Sequence, residues 1–134
     1  MSKPAIKKTI CRKAVQIDIE EDRGSTFRKT ITWKIKDTSV EPPVIEPVDL
    51  TGCTAVLEIK PTQASKTILH TITTEDGGIT LGGVFGTIDL YIDHATLLSF
   101  LWSVAEYTLT ITYSDGDKRV FSFGKFILFV GKPT

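Results

Sequence analysis

Apolar and polar residues alternate along most of the chain. From Phe27 the apolar positions Phe27, Ile31, Trp33 and Ile35 lie in phase, and Thr26, Arg28, Thr30, Thr32 and Lys34 fill the other face. That is the two-residue period of a half-buried strand. Val15, Ile17 and Ile19 alternate with Gln16, Asp18 and Glu20 in a shorter strand. Cys53, Ala55, Leu57 and Ile59 alternate with Thr54, Val56, Glu58 and Lys60 as far as Pro61, which can neither donate to a ladder nor continue a central strand. Ile68, His70 and Ile72 predict a strand that ends at the turn Asp76-Gly77-Gly78. Ile79 and Leu81 predict a short one before Gly82-Gly83.

Ile88, Leu90 and Ile92 continue the alternation, and Ala105, Tyr107, Leu109, Ile111 and Tyr113 give its cleanest stretch. Asp115-Gly116 then marks a hairpin, with a return strand through Val120, Phe121 and Phe123. The closing run from Phe126 to Val130 is apolar on both faces, as in a strand that is central or covered by a partner. Residues 94–102 break the pattern. Ala95, Leu97, Leu98, Leu101 and Trp102 have helical spacing over too short a span for more than one helical turn. Residues 37–51 carry Pro42, Pro43 and Pro47, which exclude helix and disfavour sheet. They predict a long irregular loop of the kind that often binds or links. The fold class is all-β: about eight strands in two sheets packed face to face, with one short helical turn.

At 134 residues, 41% hydrophobic and 24% charged, the chain has the size and composition of one globular domain. Residues 1–13 form a basic N-terminal arm with Lys3, Lys7, Lys8, Arg12 and Lys13 and no acid; residues 14–134 form a single β-sandwich domain. Zero formal net charge argues against a protein built to grip nucleic acid. Cys11 and Cys53 are too few for a disulfide framework and lack zinc-type spacing. No apolar run approaches a membrane span, and no signal peptide is visible. The expectation is synthesis and folding in a reducing cytoplasm.

Chemistry is sparse. His94 and Asp93 lie near Ser99 and Ser103 in sequence, but neither serine sits in a nucleophile elbow. His70, between Ile68 and Ile72, reads as a core or interface histidine. Asp18, Glu20, Glu21 and Asp22 lack calcium-loop spacing and read as solvated surface; Asp115 and Asp117 read as turn residues. The glycines at 77, 78, 82, 83 and 86 form no phosphate loop and serve turns. Tyr91 falls on a polar face and is the one candidate for an exposed sugar-stacking ring. These residues assign no catalytic, cofactor-binding or metal site, and no small-molecule substrate. The expectation is a non-enzyme.

A resemblance adds a direction. It is carried by Arg23-Gly-Ser-Thr-Phe27, Val48-Asp-Leu-Thr-Gly52 leading into Ala55-Val-Leu-Glu-Ile-Lys60, and Gly86-Thr-Ile-Asp-Leu90. Tyr107-Thr-Leu-Thr-Ile111, Asp115-Gly116 and Phe123-Gly-Lys-Phe-Ile127 complete it. Over roughly residues 14–130 the chain resembles the immunoglobulin-like β-sandwich domains of tailed-bacteriophage structural proteins. Those include the N-terminal domains of baseplate upper proteins and small collar or tail-fibre-attachment proteins. Ala105-x-Tyr107-x-Leu109 also looks like the tyrosine-corner strand of immunoglobulin folds.

The resemblance implies a virion component of the tail, without cofactor, forming a homo-oligomeric ring and contacting other tail, baseplate or fibre proteins. A ring needs one patch that meets a different patch on the next copy. The candidate interface residues are Lys3, Lys7, Lys8, Arg12 and Lys13 of the arm, Pro42, Pro43, Val44 and Ile45 of the loop, and Phe126 and Phe129 of the last strand. The alternatives are a host-surface carbohydrate-binding module and a head-decoration protein.

Overall fold

The computed structural model describes residues 14–130. The strands are β1 (Val15–Gln16), β2 (Ile19–Asp22), β3 (Phe27–Thr32), β4 (Lys34–Asp37), β5 (Val44–Pro47) and β6 (Thr54–Lys60). They continue with β7 (His70–Thr73), β8 (Ile79–Leu81), β9 (Thr87–Ile92), β10 (Val104–Thr112) and β11 (Lys118–Phe129). A 3₁₀ turn (Gly83–Phe85) precedes β9, and a short helix, α1 (His94–Ser99), follows it. The larger sheet runs β1-β11-β10-β6-β7, with β2 also pairing β11; the smaller runs β3-β9-β8; β4 and β5 form a separate ribbon.

The two sheets share one apolar core. Ala55, Leu57 and Ile59 of β6 and Ala105, Tyr107, Leu109 and Ile111 of β10 point into it from one side; Ile88, Leu90 and Ile92 of β9 enter from the other. The Phe27 and Phe126 rings meet across the gap at 5.3 Å. The all-β sandwich with one short helical turn is therefore what the chain forms. The order β3-β9-β8 against β11-β10-β6-β7 is the B-E-D and G-F-C-C′ arrangement of the immunoglobulin sandwich, with the first strand paired parallel to the last. Helix α1 is held at its start by Asp93, whose Oδ1 accepts the Thr96 N–H at 3.1 Å. It ends after six residues, where Phe100 turns extended.

Eleven strands are present among the described residues, against about eight expected, because two long strands are each broken in two and the proline loop contains one. The first break is at Ile17-Asp18. Ile17 N–H donates to Phe123 O at 2.8 Å, and Asp18 Oδ1 accepts the Lys125 N–H at 3.0 Å. Gly124 lies beneath the break: a Cβ there would sit 2.3 Å from the Ile17 carbonyl oxygen. The Tyr107 hydroxyl, facing Gly124 on the adjacent strand, donates to that same carbonyl at 2.6 Å and lies 3.3 Å from the buried Ser122 hydroxyl. Burial pushes the Tyr107 pKa up.

The tyrosine-corner expectation is thereby corrected. Such a corner closes onto backbone a few residues upstream, whereas Tyr107 reaches across the sheet to the N-terminal strand. Tyr107→Phe leaves the Ile17 carbonyl short of a donor in a part-buried setting. The expected loss is about 1–3 kcal/mol, read as a lower urea midpoint at unchanged slope.

The second break is at Trp33. Its N–H donates to Gly86 O at 2.8 Å and its carbonyl accepts the Val48 N–H at 2.9 Å, so the backbone changes partner there and leaves the smaller sheet for the ribbon. The loop expected over residues 37–51 contains β5, paired antiparallel with β4. Pro47 is tolerated because Trp33 and Val48 form the hydrogen-bonded pair. By alternation the Lys34–Pro47 pair is a non-bonded one, and a missing N–H costs the ladder nothing there. Ile68, expected inward, is exposed; β7 begins only at His70.

Candidate functional site

The sandwich is open along one side, between β1 at the edge of the larger sheet and β3 at the edge of the smaller. A groove of about 560 Å³ lies there. Its apolar wall is Val15, Ile17, Ile31, Trp33, Val120 and Phe121, and its rim carries Lys34, Lys118 and Arg119. A β-bulge builds it: Leu109 pairs with Ser122 but Thr110 pairs with Val120, so Phe121 has no partner on β10. The extra residue turns Phe121 onto Trp33, ring centroids 4.9 Å apart. Val15 and Val120 are left half-exposed at the mouth.

Among the described residues no acidic residue lines the groove. The three rim cations are all exposed, and the Lys60–Glu58 ion pair lies elsewhere on the sheet. The backbone beside the groove is also open. Tyr91 N–H donates to Gly78 O, and Thr87 O accepts from Gly82 N–H, so these residues of β9 bond toward β8. By alternation Ile88, Leu90 and Ile92 bond toward β3, to Ile31, Lys29 and Phe27. Arg28, Thr30 and Thr32 therefore direct their backbone N–H and C=O groups away from the sheet.

The ribbon rises from the wall of this groove, where Lys34 begins β4. Pro42, Pro43, Val44 and Ile45 are all exposed on it, Ile45 at 65 %. Residues 37–49 contain Asp37, Glu41, Glu46 and Asp49 and no lysine or arginine. Lys36 of β4 pairs with Ile45, so the acidic stretch is the tip and return strand, residues 37–49; it and the groove have exposed apolar side chains in common and opposite charge.

The other expected residues have separate places. Lys3, Lys7, Lys8, Arg12 and Lys13 lie outside the described residues. Phe126, named as an interface candidate, is 0 % exposed and packs between Phe27 and Trp102; it is a core residue, because β11 points it inward while Phe129 points out. Phe129 is exposed, near the outward Val104–Ile127 pair and followed by exposed Val130. Arg23, in the sequence only the first residue of the Arg23–Phe27 stretch, has a structural role. Its guanidinium donates to the carbonyls of Phe100 and Trp102, the latter at 2.9 Å, and to Ser103 Oγ at 3.2 Å, fastening the segment after α1.

Asp93, Ser99 and Ser103 have structural partners. Asp93 caps α1, Ser99 Oγ donates to Thr96 O at 2.6 Å, and Ser103 Oγ accepts from Arg23. Neither serine is hydrogen-bonded to His94. Asp115 Oδ1 accepts the Asp117 N–H at 2.9 Å, and Gly116 takes positive φ in the β10–β11 turn. Tyr91 carries the Arg28 guanidinium over its ring, 4.6 Å from the centroid, so the face a sugar would stack on is covered. Cys53 is a free, half-buried thiol whose pKa is raised by burial, with Asp49 and Asp115 adding to it. No helix among the described residues is long and apolar enough to cross a membrane.

His70 is half-buried against Phe100, ring centroids 5.0 Å apart. Burial lowers its pKa from 6.5, with Asp76 and Asp93 pulling the other way. Between the folded and unfolded pKa the unfolded chain binds more protons, so stability rises with pH there. This contribution is full above about 6.5 and is lost as pH falls below it. The lowered carboxylates Asp49, Asp76 and Asp93 act only near and below 3.8. Urea titrations between neutral and mildly acidic pH are expected to show falling stability, and His70→Gln to flatten that slope.

No protein-family model matches the chain, and no curated protein matches it.

Proposed function

We propose that this chain is a structural subunit that works by packing against other protein chains, as a small tail or baseplate component of a tailed-phage virion assembled as a homo-oligomeric ring. The observation that carries the reading is the apolar, cation-rimmed groove at the open edge of the sandwich, on a molecule that also presents an exposed apolar ribbon whose tip and return strand, residues 37–49, have the opposite charge. Two different, complementary patches on one chain are what a closed ring requires. The phage assignment rests on the resemblance of residues 14–130 to tail and baseplate sandwiches. In this role the protein needs neither catalysis nor a cofactor; it is made in the host cytoplasm and ends in the particle.

The test is location. In particles purified from cells making a tagged version of the chain together with its phage, mass spectrometry is expected to find it in stoichiometric amounts. Immunogold is expected to mark the tail. Absence from purified particles removes the virion assignment, and labelling of the head instead would make it a decoration protein.

A further inference from the structure

We infer that the tip of the β4–β5 ribbon of one copy docks in the groove between β1 and β3 of the next copy, head to tail. The inference rests on the assembly reading above and names the surface that reading uses. Charge selects the occupant. The rim cations Lys34, Lys118 and Arg119 have no acid among the groove's lining residues, whereas residues 37–49 are acidic without a single base. The basic residues 1–13 have the same sign as the rim and are disfavoured there by repulsion.

Shape and polarity agree. Val44 and Ile45 are exposed on opposite faces of β5, so a tip inserted edge-on sets one against Val15, Val120 and Phe121 and the other against Ile31. Burying two branched side chains supplies the apolar centre of a contact, and the surrounding charges fix its register. A copy cannot fill its own groove this way. Lys34, at the ribbon's root, is already part of the groove wall, and the paired backbone carries the tip roughly 10 Å beyond it.

Because groove and ribbon differ, the contact is heterologous and repeats from copy to copy. Pro42, Pro43 and Pro47 suit this arrangement. They blunt the ribbon's outer edge against open-ended strand pairing, leaving side chains to make the contact.

The experiment uses sedimentation velocity on the full chain and two folding-tolerant variants. Lys118→Glu with Arg119→Glu alters the groove; Glu41→Lys with Ile45→Lys alters the ribbon. The charge-reversed groove and ribbon positions are exposed, and thermal melts matching wild type establish that each variant folds. Wild type is expected to assemble. Each variant alone is expected to lose self-association by at least about tenfold in dissociation constant, since like charges now meet across the contact.

Mixing the two variants is expected to restore association, through the intact ribbon of the groove variant and the intact groove of the ribbon variant. If wild type assembles and both variants assemble equally well, the ribbon–groove contact is wrong while the assembly reading stands. If wild type is monomeric, both fall. If deleting residues 1–13 abolishes assembly that the two variants leave intact, the arm is the docking element and the inference is overturned. Mixed variants that stay monomeric also contradict it.

Discussion

Phe126→Ala is expected to destabilise the folded chain by about 3–5 kcal/mol, the range for removing a fully buried aromatic ring. Phe126 lies on the inner face of β11, opposite Phe27 of the other sheet and edge-on to Trp102, at 5.3 and 5.7 Å between centroids. It also stands beside Ile19 of β2 and Ala105 of β10 in the ladder. The ring therefore joins both sheets, the N-terminal strand and the segment after α1. Its loss leaves a cavity that four elements would have to move to close. Total stabilities are about 5–15 kcal/mol, so the variant is expected to be partly unfolded near physiological temperature. The check is a urea titration followed by tryptophan fluorescence. An interface role would give the opposite result: weaker association and an unchanged unfolding midpoint. Phe129→Ala, three residues on and exposed, is expected to leave the midpoint nearly untouched.

Gly86→Ala is expected to cost about 2–5 kcal/mol, summing a left-handed backbone penalty of about 1–2 and an overpacking penalty of about 1–3. Gly86 has φ +69°, closing the 3₁₀ turn before β9. A Cβ there would lie 2.6 Å from the Trp33 carbonyl oxygen and 3.0 Å from the Val48 N and O. Those are the atoms that tie the root of the ribbon to the sandwich, through Trp33 N–H to Gly86 O and Val48 N–H to Trp33 O. The substitution is therefore expected to do two things. It lowers the thermal midpoint, and it loosens the ribbon, seen as faster amide exchange in residues 44–48 than in β6 or β10. Gly77→Ala is the control: it also has positive φ but nothing within 4 Å, so it isolates the backbone penalty.

The core strands were legible because alternation is a local property. Ala55, Leu57 and Ile59, and Ala105, Tyr107, Leu109 and Ile111, are inward in sequence pattern and inward in space. The turns at Asp76-Gly77-Gly78 and Asp115-Gly116 were equally readable, since φ is positive at Gly77 and Gly116 and the aspartates bond the backbone locally. Helix α1 followed from its spacing, and its Asp93 cap makes a six-residue helix possible.

What resisted reading depended on distant partners. The break at Ile17-Asp18 is imposed by Gly124 and Tyr107, the latter 90 residues after Ile17 in sequence. The break at Trp33 is imposed by Gly86 and Val48. Pro47 argued against a strand, but its pairing with Lys34 is one that needs no N–H. Phe126 and Phe129 have the same residue type in the same run, and only the register with β10 assigns one to the core and the other to the surface. The groove was invisible because it depends on one unpaired residue, Phe121, in the β-bulge. Lys29 did carry a signal: in phase with Phe27 and Ile31, it is an inward charge of the kind that marks an edge strand.

The central claim is that the chain functions by associating with copies of itself. The measurement that bears on it most directly is the mass of the purified wild-type protein by multi-angle light scattering over a rising concentration series. A closed ring is expected to give one discrete multiple of the 14.8 kDa chain that stops growing with concentration. A mass that stays at one chain up to the highest attainable concentration would contradict the claim.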